Sequence, residues 1–69
     1  MSPTPKQMGK RIQTLREERD MSRAQLADLA GISREYVRHL EAGLSDPTVG
    51  TLQKIAKALG VKLEDLVKQ

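Results

Sequence analysis

The chain contains no cysteine, so it has neither a disulfide to staple it nor a thiolate to hold a metal. Its single histidine, His39, leaves no His-rich metal site to assemble. Tyr36 is the only aromatic residue. No stretch approaches the ~18 consecutive apolar residues of a membrane span. The first residues lack the apolar run that a signal peptide needs. Together these two absences give the expectation of a cytoplasmic protein with no membrane attachment. No internal repeat or low-complexity segment is visible. Chemistry is missing too. There is no nucleophile–base–acid set, no phosphate-cradling glycine loop and no metal cluster, so neither catalysis nor a cofactor is expected. His39 is the sole candidate base.

What remains is a chain of 69 residues with twelve Lys/Arg against nine Asp/Glu, a net charge of +3. A mildly basic balance suits a nucleic-acid partner without establishing one. The length allows one domain. A core of that size supplies about 3–5 kcal/mol, and dimerisation is a cheap route to more.

Residues 1–6, MSPTPK, hold two prolines and no periodicity, and are expected to form a flexible arm ahead of a domain over 7–69. Five helical patterns follow, with no strand signal. Met8, Ile12 and Leu15 fall at i, i+4 and i+7 and predict a first helix from about Gln7 to Arg19. Ser22 followed by Gln25 reads as a capping box, with Met21 and Leu26 placed as its hydrophobic staple. The second helix turns Leu26, Ala27 and Ala30 inward and ends at Gly31. Ile32 re-enters the core, and Ser33 caps a third helix with Val37 and Leu40 on its buried side and Gly43 at its end. Thr48 caps a fourth, with the stripe Leu52, Ile55, Ala56 and Leu59, ended by Gly60. A last short helix carries Leu63, Leu66 and Val67. It starts near Lys62, a poor cap.

Residues 22–43, SRAQLADLAGISREYVRHLEAG, are the most informative stretch. Two short capped helices flank one glycine, the layout of a helix-turn-helix that offers its second helix to the DNA major groove. At 100° per residue Arg34, Glu35, Arg38 and His39 occupy an arc of about 140°, opposite Val37 and Leu40, with Tyr36 at its edge. Arg can bond guanine bidentately, Glu can accept from cytosine, and His can donate to guanine or phosphate. These five are the candidate base contacts. The same residues also fit a plain solvated helix, where Glu35 pairs with Arg38 or His39 for ~0.2–0.5 kcal/mol and Tyr36 covers a groove. The helix starts supply candidate phosphate contacts in Ser22, Arg23 and Ser33. Arg16 and Glu41 border apolar faces of two helices that should touch. They are expected to form a partly buried ion pair, against the alternative of two unrelated surface charges.

The pieces LREERDMSRAQLADLAGISREYVRHLEAG, a short loop with Pro47, TLQKIAKALGV and a final LEDLV occur in an order and spacing that resemble the phage-repressor, Cro and Xre-like helix-turn-helix regulators. The resemblance covers about residues 8–67. It implies an all-α, compact five-helix bundle of the lambda-repressor-like type, with its helix-turn-helix at about residues 22–42. It also implies a transcriptional regulator, a repressor or autoregulator, that binds double-stranded DNA as a homodimer on a near-palindromic operator. By position, Arg34, Glu35 and His39 fall at base-reading sites of the family, Ser22 and Arg23 at phosphate sites, and Arg16 and Glu41 at a buried ion pair. Val61, Leu63 and Val67 fall where the family makes its dimer contacts, and Leu44 is a further exposed candidate for the dimer interface. Two departures stand out. Leu44, Ser45 and Asp46 occupy a loop where relatives often carry Lys or Arg, which implies modest non-specific affinity. Gly50 should loosen the fourth helix by about 1 kcal/mol relative to alanine. A competing expectation is a protein-binding module on the same fold, such as the antitoxin of a toxin–antitoxin pair.

Overall fold

In a computed structural model, which describes residues 3–67, the chain folds into five helices with no strand among those residues. They are α1 (Pro5–Glu18), α2 (Arg23–Ala30), α3 (Arg34–Glu41), α4 (Val49–Leu59) and α5 (Leu63–Val67). The main helix contacts run from α1 to α3, then α2, α4, α5 and back to α1, a closed circuit around one core. That core is aliphatic. Ile12, Leu26, Leu40, Ile55, Leu66 and Val37 are its largest fully buried side chains. The stripes read from helical spacing are the buried ones: Met8, Ile12 and Leu15 on α1, Leu26, Ala27 and Ala30 on α2, Val37 and Leu40 on α3, and Leu52, Ile55, Ala56 and Leu59 on α4.

The start of α1 corrects the expected arm. The helix begins at Pro5, two residues before Gln7. Thr4 is its N-cap: the Thr4 hydroxyl accepts from the Gln7 amide at 3.1 Å and the Gln7 side chain accepts from the Thr4 amide at 2.9 Å. Pro5 stands at the first helical position, where its missing N–H costs nothing and its fixed φ suits the helix. Thr4, Pro5 and Lys6 therefore belong to the folded domain. Met1, Ser2, Lys68 and Gln69 lie outside the described residues.

Four helices close in the same way. After α1, α2, α3 and α4 an amide bonds back to the carbonyl five residues earlier: Met21 to Arg16, Ile32 to Ala27, Leu44 to His39 and Val61 to Ala56. This is the Schellman closure, and it needs one residue in the left-handed region. Glycine fills that place three times, but after α1 it is Asp20, at φ 51°. A side chain with a Cβ is strained there. Asp20→Gly is accordingly expected to stabilise the fold by about 0.5–1 kcal/mol. The gain should appear as a higher urea midpoint with an unchanged m-value, and no rise would mean that Asp20 relieves the strain locally. At the other end of the chain α5 has half a capping box in place of a capping side chain at Lys62, whose amide donates to the Asp65 carboxylate at 3.1 Å.

Candidate nucleic-acid interface

The placement of α3 follows from its own residues. The Ser33 hydroxyl accepts from the Tyr36 amide at 3.0 Å and starts the helix. Gly31, at φ 70°, turns the chain sharply between α2 and α3. Ile32, partly buried against the core, pins that turn. Val37 and Leu40 then seal one face of α3 against α1 and α2. The opposite face is left to Arg34, Glu35 and Arg38, all exposed, with His39 and Tyr36 half-buried at its sides. Tyr36 packs its ring against the core edge.

The charged groups on this face are not equivalent. Arg38 clamps Glu35, its Nε donating to Oε2 at 3.0 Å and its Nη2 donating to Oε1 at 3.0 Å. This pair holds the Glu35 carboxyl below its ordinary range and raises the Arg38 guanidinium above its own. The same Nη2 lies 3.2 Å from Nε2 of His39. Arginine only donates, so in a hydrogen bond between them Nε2 of His39 is the acceptor. Arg34 has no side-chain partner among the described residues. It is the guanidinium on this face that is free to make a new bidentate bond.

Beside α3 lies the start of α2. Ser22 and Gln25 cap it reciprocally, at 3.0 and 2.8 Å. That leaves the amides of Arg23 and Ala24 without a protein acceptor among the described residues. The Ser22 and Ser33 hydroxyls each accept at a helix start and remain exposed.

Arg16 and Glu41 meet in the interior. Nε of Arg16 donates to Oε2 of Glu41 at 2.7 Å, Nη2 donates to Oε1 at 3.1 Å, and Nη1 donates to the Met21 carbonyl at 2.8 Å. Both residues are buried. The Glu41 hydrogen bond raises the Arg16 guanidinium further above its ordinary range. The sequence reading missed a third member. Nε of Arg23 donates to Oε1 of Glu41 at 2.8 Å, so one carboxylate serves two arginines. Arg23 and Glu41 are eighteen residues apart, and no periodicity within either helix signals their meeting.

The expected dimer residues divide. Leu44 is 70% exposed and Val67 is exposed, whereas Val61 and Leu63 are partly buried against this chain's own core. Leu29 and Val49, which the sequence reading did not single out, are exposed apolar side chains as well. Among the described residues no group of acidic, histidine or cysteine side chains could hold a metal ion, and no helix is long and apolar enough to cross a membrane.

A helix-turn-helix family model matches residues 12–66. The chain is similar to the immunity repressor protein of Bacillus phage phi105, with 37% identity over 60 residues that make up 87% of this chain and 42% of that protein. It thus spans about two fifths of that relative's length. Among solved structures it is similar to the restriction–modification controller protein C.AhdI from Aeromonas hydrophila, at TM-score 0.88 and 31% identity over 90% of this chain and 94% of that one. It is also similar to SinR, the master regulator for biofilm formation, in its complex with DNA. Here the TM-score is 0.82 and the identity 32%, over 86% of this chain and 95% of that one.

Proposed function

This chain belongs to the helix-turn-helix family, and from that premise we propose that it is a cytoplasmic, sequence-specific regulator of transcription that binds double-stranded DNA. It works by binding rather than by catalysis, as a repressor or autoregulator. One observation carries the reading: α3 buries Val37 and Leu40 while its other face offers hydrogen-bonding side chains, among them an Arg34 with no side-chain partner among the described residues. In this reading α3 enters the major groove. Arg34 is the leading base reader, with Glu35, Tyr36, Arg38 and His39 as further base contacts. Arg38 and Glu35 reach the groove as a pair, so their contacts are coupled. Ser22, Arg23 and Ser33 at the two helix starts take phosphates and fix the register without reading sequence. A homodimer formed through Leu44, Val61, Leu63 and Val67 matches a near-palindromic operator, with half-sites about one helical turn apart.

Selection from a random duplex pool tests this. A two-fold symmetric consensus is the expected result. On that consensus Arg34→Ala should cost about 1–3 kcal/mol and relax preference at one base position in each half-site. Unchanged affinity and preference in Arg34→Ala would remove it as a base reader.

A further inference from the structure

Glu41 has a side chain only 1% exposed, and it cannot touch DNA. It nevertheless binds Arg23, whose side chain is 45% exposed at the first turn of α2. Three facts about this cluster combine. First, Arg23 uses Nε on Glu41, and neither of its terminal nitrogens has a partner among the described residues. The guanidinium is planar, so anchoring it through Nε fixes the direction of the Nη1/Nη2 edge, which is the edge that matches two phosphate oxygens. Second, Glu41 is already neutralised by the buried Arg16 through two hydrogen bonds. Two cations surround the one buried anion, while Glu17 approaches Arg16 only at 3.9 Å with a side chain 60% exposed to water, so the buried part of the cluster keeps a net positive charge, and its more exposed cation is Arg23. Third, the anchor is rigid, because Glu41 closes α3 and is held at its other oxygen by α1.

We propose that Glu41 is a positioning residue for DNA binding: it holds Arg23 at the phosphate it contacts, and Arg16 keeps the charge of Arg23 uncancelled for that contact. The proposal rests on the DNA-binding reading above and deepens it. Arginine is required at position 23 because the residue must serve a carboxylate and a phosphate at once. An ammonium group on a flexible stem serves one or the other.

The experiment is a salt titration of duplex binding by the unaltered chain, Arg23→Ala and Arg23→Lys, using the consensus duplex from the selection. Position 23 is exposed, so folding is retained in each, as circular dichroism will show. Loss of one phosphate contact per protomer should lower the salt slope by about 0.9 per protomer. The expected result is that both variants lose that slope and bind about 10-fold more weakly, with Arg23→Lys no better than Arg23→Ala. A lysine variant closer to the unaltered chain than to Arg23→Ala overturns the proposal. Glu41→Gln adds a sign test, with affinity corrected to the folded fraction. Removing an anion near phosphates by itself strengthens binding, whereas releasing Arg23 weakens it. Stronger binding by Glu41→Gln overturns the proposal. If the unaltered chain binds no duplex, the functional reading falls and takes this one with it. If the chain binds and Arg23→Lys is intact, this one alone falls.

Discussion

Glu41→Ala is expected to leave the chain largely unfolded. The substitution strips two hydrogen bonds from Arg16, a guanidinium that is buried and remains charged. Removing one member of a buried pair costs about 3–5 kcal/mol, because the other charge is left uncompensated. That is as large as the whole stability expected of a core this small. The cause is the orphaned charge rather than the missing attraction, and this can be separated by experiment. Replacing both partners with apolar groups of similar volume is often neutral or stabilising. The double variant Arg16→Met/Glu41→Leu should therefore be more stable than Glu41→Ala by at least about 2 kcal/mol, despite carrying more substitutions. Arg23 also loses its partner in both variants, but it is half-exposed and its charge stays in water. Urea unfolding followed by far-ultraviolet circular dichroism decides the matter. A double variant as unstable as Glu41→Ala would place the loss in packing and not in charge.

Gly9→Ala should be the second severe change, and its sign runs against helix propensity. In a helix interior this substitution ordinarily gains about 1 kcal/mol. At Gly9, however, α1 crosses the end of α3 so closely that an added Cβ would run into the Leu40 carbonyl oxygen and come within 2.7 Å of the Glu41 carbonyl oxygen. Those are backbone atoms, and they cannot rotate away. The two helices must separate, which costs about 1–3 kcal/mol before the propensity gain is subtracted, and a wider gap also pulls Arg16 from Glu41. A net loss of up to about 2 kcal/mol is expected. Gly50 supplies the control. An added Cβ there meets only the Thr48 hydroxyl at 3.8 Å, so Gly50→Ala should gain up to about 1 kcal/mol. Urea midpoints moving in the same direction for both variants would contradict the steric account of Gly9.

Much of this was legible locally. The Ser22–Gln25 box, the Ser33 and Thr48 caps, the terminating glycines and the apolar stripes are all decided within a few residues. The structure has them where the sequence puts them. The pairing of Arg16 with Glu41 was legible because both border apolar stripes. The first turn of α1 was misread because two prolines suggested an arm, although proline after a threonine is also a helix start. The Arg23–Glu41 bond and the tight crossing at Gly9 left no local trace. Each depends on how α1, α2 and α3 cross, which side-chain periodicity does not specify. Within the candidate interface the sequence could name the polar arc of α3. It offered the Glu35–Arg38 pair only as an alternative, and it could not show that Arg34 is the arginine of this face left without a side-chain partner among the described residues.

The four Schellman closures have a kinetic consequence. Each is completed within six residues, so the stop signals of α1 to α4 can form before any two helices meet, and the chain bends without a long loop to search. Folding then reduces to docking preformed ends, the regime in which helical domains fold in microseconds to milliseconds. The demanding step is the seating of α1. It must find α3 through Gly9 and Arg16, and it must find α5 through Arg11, whose Nε donates to the Asp65 carbonyl fifty-four residues away. Substitutions that weaken the closures or that seam should therefore slow folding, because both are made by the time α1 is seated, and should leave the unfolding rate largely unchanged.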